Sequence, residues 1–208
     1  MLLNKWNFGL HRFAARDESR YSIGVVRVVE DATISTDGHR LTRLTIPKAE
    51  AENFPQMEGI NPAASVNGGV SLSVEDAKRI EKMLPKKSTI PILVNAALDP
   101  GEVKAETVKV GMTDLETPQV LSCQRQTGQF PNWEIVIPKD EPVLTIDLDA
   151  KLLGELLDYV AKFDDREHRV KLTLYNQDKA IRLDAHNDES GQDFMGLLMP
   201  LRRIGLDK

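Results

Sequence analysis

Apolar residues recur along this chain in three successive blocks, each opening on a helical period and continuing on a two-residue period. The first block predicts a helix from about Asn4 to Arg16, strands near 21–29 and 32–36, and a strand over 40–46, with no opening strand of its own. The second predicts a strand at Val70–Leu72 and a helix from Ser73, which is followed three residues later by Asp76 in the manner of a capped helix start. In that helix Val74, Ala77, Ile80 and Leu84 fall on one face, and Pro85 ends it. Strands follow at about 90–98, 104–113 and 117–126. The third block predicts a strand at Val143–Ile146, a helix over about 150–163 with Leu152, Leu153, Leu156, Leu157 and Val160 on one face, and strands at 168–175, 179–186 and 193–201. Turn signals at Asn176-Gln177-Asp178 and Asn187–Gly191 separate the last three. A stretch rich in Pro, Gly and Asn over 47–69 reads as a mobile linker, and Pro138–Pro142 as a second one. Met112-Thr113-Asp114-Leu115-Glu116 echoes Ser35-Thr36-Asp37-Gly38-His39, each at the end of an apolar strand, so the blocks read as duplicated supersecondary units.

Thr36-Asp37-Gly38-His39-Arg40-Leu41 is the densest chemistry in the chain. Asp-Gly closes a tight turn because Gly38 can take a positive φ, and the turn crowds a protonatable ring, a fixed cation and an apolar side chain at a sheet rim. On these six residues alone, a hairpin with a charged flank explains the run equally well. Two further runs stand with it: Phe130-Pro131-Asn132-Trp133-Glu134-Ile135-Val136-Ile137-Pro138 and Leu197-Leu198-Met199-Pro200-Leu201-Arg202.

Together, and in this order, the three runs resemble signatures of the bacterial sliding clamp, the beta subunit of the replicative DNA polymerase; Arg20-Tyr21 and Ile23 precede the turn at about that family's interval. The resemblance implies an α+β, DNA-clamp-like fold of repeated helix-plus-antiparallel-strand units, with helices packed on sheets. It further implies that the three runs converge on an apolar cleft that accepts short linear motifs of polymerases, the clamp loader and repair factors. Carried over by position, the cleft comprises Ile23, Thr36, Gly38, His39, Arg40, Leu41, Pro131, Val136, Leu197, Leu198, Met199, Pro200, Leu201 and Arg202. Leu, Val and Met side chains can repack around different anchors, and Arg40 and Arg202 can orient a peptide. The competing reading makes Leu41, Val136, Leu197 and Leu198 core residues of edge strands. Where Ile135 stands the family often carries a polar or basic residue.

The same resemblance implies helices facing duplex DNA through nonspecific phosphate contacts. The first helix carries Lys5, Arg12 and Arg16 with no acid over residues 4–16. The second has Lys78, Arg79, Lys82, Lys86 and Lys87 against Glu75, Asp76 and Glu81, with Lys78, Lys82 and Lys86 on one face. The third is not basic. Arg20 and Tyr21 resemble a family loop that touches DNA. A solvated helix face is the alternative for all of these lysines.

Composition narrows this picture. A chain of 208 residues with 41% hydrophobic content can bury a proper core, and a net charge of −5 means that any DNA contact must come from a local basic surface. The single cysteine, Cys123, leaves no intrachain disulfide and no cysteine cage for zinc. No run approaches the roughly 18 apolar residues of a membrane span, and the N-terminus does not read as a secretory signal, so a soluble cytoplasmic protein is expected. Asp37 and His39 stand two apart without a marked nucleophile, His11, His168 and His186 have no metal-like spacing, and Asn67-Gly68-Gly69 precedes no phosphate-loop lysine. No enzyme, cofactor or metal is expected; a small hydrolase using Asp37 and His39 is the competing class.

These readings give a clamp-like domain over 1–139 and an additional half-domain over 140–208. Three units, where a full clamp of the family would hold six, imply that encircling double-stranded DNA needs a homo-oligomer, with twelve units met by a tetramer. The function expected is a processivity factor that tethers polymerase or repair partners to DNA. The alternative is a decoy or interaction module that binds clamp-binding motifs without forming a ring.

Overall fold

The computed structural model describes residues 1–201 except Tyr21, Val103 and Asp165. The chain divides between Ile137 and Pro138 into two compact units. In the first, β1 (Leu2–Asn4) and α1 (Lys5–Phe8) precede β2 (Val25–Val28), β3 (Ala32–Thr36) and β4 (Leu41–Thr45). The order then repeats as β5 (Val70–Ser73), α2 (Val74–Met83), β6 (Asn95–Asp99), β7 (Thr107–Thr113) and β8 (Pro118–Gln124).

The sheets do not follow that division. Their orders are β1-β6-β7-β8 and β4-β3-β2-β5, so each half lends its opening strand to the other half's sheet. β1 lies antiparallel on β6 with Leu2 opposite Ala97, and β5 lies antiparallel on β2 with Ser71 opposite Arg27. One core results, joining Leu3, Ala96, Leu98, Val108 and Val110 of one sheet to Val28, Val70 and Leu72 of the other, with Phe8 and Ile80 from the helices. α1 and α2 pack on each other, and Lys5 Nζ donates to the carbonyl of Leu84 (2.9 Å) at the end of α2, a cation where the helix dipole is negative.

Local chemistry explains the boundaries. α1 starts at Lys5 because a capping box holds its N-terminus: the Asn4 side chain accepts from the Trp6 and Asn7 amides while Asn7 Oδ1 accepts from the Asn4 amide. Asn7 is fully buried, and its Nδ2 donates to Thr33 Oγ1 (3.0 Å) and the Thr45 carbonyl (3.2 Å), pinning the helix to β3 and β4. The chain then tightens into a 3-10 turn over Gly9–Phe13, so the helix predicted from Asn4 to Arg16 is α-helical only over Lys5–Phe8 and ends as 3-10 at Phe13. The opening strand that the pattern did not reveal is β1, three residues whose partner lies more than ninety positions away. Pro91–Val94 form a 3-10 turn ahead of β6 where a strand was expected. The 47–69 stretch is packed down: Phe54, Met57 and Ile60 are buried with Leu2 and Ala97, and Val66 joins the main core.

The second unit holds α3 (Ala150–Phe163), β9 (Lys171–Thr173), β10 (Ile181–Asn187) and β11 (Gln192–Leu198), in the sheet order β11-β10-β9. Asp149 caps α3 by accepting from the amides of Lys151 (2.8 Å) and Leu152 (3.1 Å). Its core is small: Ile181, Leu183 and Leu198 are buried, with Ile146, Leu148, Leu153, Leu156 and Val170 around them. Val143–Ile146, expected as a strand, forms no ladder among the described residues.

Phe8→Ala is expected to cost the first unit about 3–5 kcal/mol, because the ring is 1% exposed and bridges both sheets; urea denaturation checks it.

Candidate partner-peptide and nucleic-acid surfaces

The turn after β3 is built by side chains that satisfy its own backbone. Thr36 Oγ1 accepts from the Gly38 amide (3.1 Å) and donates to the Arg40 carbonyl (2.8 Å). Asp37 Oδ1 accepts from the amides of His39 and Arg40 (both 3.0 Å), and Oδ2 accepts from Arg40 Nε (2.9 Å). Those backbone hydrogen bonds, with the guanidinium beside them, hold the Asp37 carboxyl down to about 2 from 3.8. Asp37 therefore serves the His39 backbone rather than orienting its ring, which removes the geometric basis for an acid-base pair.

Gly38 has a φ of +90°, and a Cβ there would meet Arg20 Nη1 at 3.2 Å and Ile23 Cδ1 at 3.9 Å. The structure thus brings Arg20 and Ile23 to the turn, where Arg20 Nη1 also donates to the Asp37 carbonyl (3.2 Å). Arg40 stands 5.1 Å over the Phe13 ring, a cation–π contact that sequence reasoning missed because nothing local links the two. His39 and Arg40 are exposed and Leu41 is half-buried at the start of β4.

Two residues along β4, Arg43 lies 5.8 Å over the ring of Trp133, which ties the Phe130–Pro138 run to the same strand. That run forms a 3-10 turn capped by Asn132, and leaves Pro131, Ile135 (74%) and Val136 (63%) exposed. Val136 is therefore no core residue. The third run belongs to the second unit. There Leu197 (59%), Met199 (63%) and Leu201 (53%) are exposed, while Leu198 (5%) is buried against Ile181 and Leu183 and Pro200 is half-buried. Leu197 and Leu198 line an apolar groove of about 450 Å³ with Leu152, Leu156, Tyr159 and Phe194. Arg202 and Tyr21 lie outside the described residues.

The basic residues divide. Lys5 is engaged at the end of α2, and Arg12 Nη2 donates to Glu81 Oε1 (2.6 Å) while His11 Nε2 meets Glu81 Oε2 (2.9 Å). Burial pushes the Glu81 carboxyl up, but hydrogen bonds from His11 and Arg12 and the charge of Arg12 outweigh it and leave it lowered. Arg16, Lys78, Arg79, Lys82 and Lys86 remain exposed. Arg12, Arg16 and Lys78, with Asp17 and Glu75 among them, line one cleft of about 700 Å³ where the first helical segment meets α2. Among the described residues no group of three or more His, Cys, Asp or Glu side chains could hold a metal ion.

No protein-family profile and no curated protein matches the sequence. Solved structures do match by shape. DNA polymerase III subunit beta of Borrelia burgdorferi aligns over 96% of this chain and 47% of its own, with a TM-score of 0.63 at 14% identity. The beta subunit from DNA polymerase of Streptococcus pyogenes aligns over 97% and 50%, with a TM-score of 0.66 at 12% identity. A Eubacterium rectale chain assigned as a DNA polymerase III beta subunit aligns over 96% and 50%, at 0.62 and 10%. The chain has the α+β clamp fold of these beta subunits and spans about half the length of the solved chains it matches.

Asp37 stabilises the turn only while ionised. Because its folded value lies below the unfolded 3.8, this contribution is complete above that value and is lost as pH falls through about 2. The amide NMR shifts of His39 and Arg40 should therefore show an acid-limb titration with a midpoint near 2, which Asp37→Asn abolishes. Glu81→Ala should cost about 2 kcal/mol by chemical denaturation, since it removes two charge-assisted hydrogen bonds at a buried carboxylate.

Proposed function

We propose that this chain is a sliding-clamp-like processivity factor. It tethers polymerase or repair partners to double-stranded DNA through an apolar peptide cleft, and any ring closes by self-association. The observation that carries the reading is the turn after β3 on a clamp fold: a rigid, internally bonded loop presents His39, Arg40 and Leu41 outward, with Ile23 and Arg20 behind it. Pro131 and Val136, attached to the same unit through Arg43 and Trp133, add exposed apolar surface. In the second unit, Met199 and Leu201 are exposed apolar side chains of the kind that anchors a linear motif. The five exposed basic residues from Arg16 to Lys86 would grip phosphate without reading sequence. A clamp-loader partner follows from the same cleft. None of the helices among the described residues is long and apolar enough to cross a membrane, which accords with work on cytoplasmic DNA.

A second reading keeps the cleft and drops the ring, giving an interaction module that competes for clamp-binding motifs. Exposed Lys78 and Lys82 on α2 favour the first, because a decoy has no use for them; Lys86, expected on the same helix face, is exposed but lies beyond the end of α2.

A synthetic clamp-binding peptide should bind the wild-type chain, with affinity reduced by about 1–3 kcal/mol in Leu41→Ala and in Met199→Ala, as read by calorimetry. Equal affinity in all three proteins rejects the cleft. Nicked circular DNA should retain the protein and release it on linearisation, and replacing Lys78 and Lys82 by Glu should weaken retention. Failure to bind either form of DNA, with peptide binding intact, selects the decoy.

A further inference from the structure

The second unit is half of what the first unit is. In the first, two strand-helix-three-strand halves complete each other by exchanging opening strands; the second unit has one helix, one three-stranded sheet, and no strand on the outer edge of β9 among the described residues. The cost is visible in exposure. Leu98 of β6 is 0% exposed, whereas Leu172, its counterpart in β9, is 49% exposed. α2 buries Ala77, Ile80 and Glu81, whereas α3 buries only Val160 and leaves Leu152 and Leu157 open. By distance from the helix cap, Leu157 stands where Glu81 meets His11 and Arg12 of the neighbouring helical segment.

The counterparts follow from hydrogen bonds. Asn4, Ser73 and Asp149 cap α1, α2 and α3, so Leu2, Ser71 and Asp147 are equivalent positions. The Gln126 amide donates to the Ser71 carbonyl (3.2 Å), and the Leu201 amide donates to the Asp147 carbonyl (2.8 Å), so the end of β11 meets the opening segment as the end of β8 does. Carried across the ladders, the register Leu121–Val110–Leu98 corresponds to Gly196–Leu183–Leu172. Since Leu2 faces Ala97 and Ser71 faces Arg27, the missing ladder sets Ile146 against Leu172, Asp147 against Lys171, Leu148 against Val170, and Asp149 against Arg169. Two apolar pairs and two opposite-charge pairs result, the complementarity that stabilises directly opposed positions in a sheet.

We propose that two copies of this chain exchange their opening segments, residues 146–149 of each adding a strand to the outer edge of β9 of the other. The occupant is a second copy because donor and acceptor both lie in one sequence and match in register, so a two-fold axis satisfies both ladders at once. The exchange covers an apolar strand edge that would otherwise invite nonspecific pairing. It turns the internal two-fold repeat of the first unit into a true two-fold between copies, and brings Leu157 of each α3 to the other's helix.

This inference rests on the self-association in the proposed function, and its test needs neither DNA nor peptide. Sedimentation velocity of the full chain should give a dimer at micromolar concentration. Leu172→Glu, at a position half-exposed in the single chain, should give a monomer with an unchanged far-UV circular dichroism spectrum. Asp147→Lys and Lys171→Asp should each weaken self-association several-fold, and an equimolar mixture of the two should restore the dimer, because both ladders of the mixed pair then join unlike charges. A wild-type monomer overturns both the exchange and ring closure by self-association, while the peptide titration still judges the cleft. A dimer that persists in Leu172→Glu overturns the exchange and leaves self-association by another surface. Charge variants that do not recover on mixing overturn the register.

Discussion

Exchange of the opening strands is the constraint on which the first unit depends. β1 is covalently the start of one half and β5 the start of the other, yet each completes the opposite sheet. Neither half can move away without leaving backbone donors and acceptors of β2 or β6 unpaired at a buried position, a loss that sheets do not tolerate. The two sheets consequently share one core, with Phe8 and Ile80 between them and α1 held against α2. The position of every candidate surface in this unit descends from that arrangement: the helix pair sets the spacing of Arg12, Arg16 and Lys78, and the ends of the sheets set the hairpins.

Those hairpins are variations on one device. Thr36 and Asp37 receive the amides of Gly38, His39 and Arg40; Thr113 and Asp114 receive those of Leu115, Glu116 and Thr117 in the same pattern. Asn187 receives the amide of Ser190 at the matching place in the second unit. The middle residue carries a positive φ in both of the first two turns, glycine at 38 and leucine at 115. Geometry alone therefore does not distinguish the turns. What sets the first apart is its decoration: His39, Arg40 and Leu41 outside, Ile23 and Arg20 beneath, and Phe13 under the Arg40 guanidinium.

Much of this was legible in the sequence where the cause is local. α3 runs over the predicted residues because Asp149 caps it and its leucines keep a helical period, and the Thr-Asp echo is visible because both turns bond through the same two side chains. Legibility failed where the cause is distant. β1 is three residues long and is a strand only because β6 accepts it, while Phe54, Met57 and Ile60 sit in a Pro- and Gly-rich stretch whose apolar residues have no period but do have a place on Leu2 and Ala97. The candidate cleft follows the same division. Its residues could be carried over by motif, but how far each leucine is exposed is decided by tertiary neighbours: Leu197 and Leu198 are adjacent in sequence, yet one is exposed and the other buried.

Charge follows the same economy. A chain of net charge −5 cannot hold a polyanion by its overall field. Two of its helical cations, Lys5 and Arg12, already serve a helix end and a buried carboxylate, so they hold the helix pair together before they can serve any ligand. The remaining Lys78 and Lys82 of α2, and Lys86 beyond its end, are exposed and partly offset by Glu75. Such a surface gives weak, salt-sensitive contact that reads no sequence, which suits an object that must stay on DNA and move along it. In the proposed function, persistence comes from a closed ring, which the proposed self-association would supply. The outer edge of β9, unpaired among the described residues, and the opening segment proposed for it are where further copies would be joined.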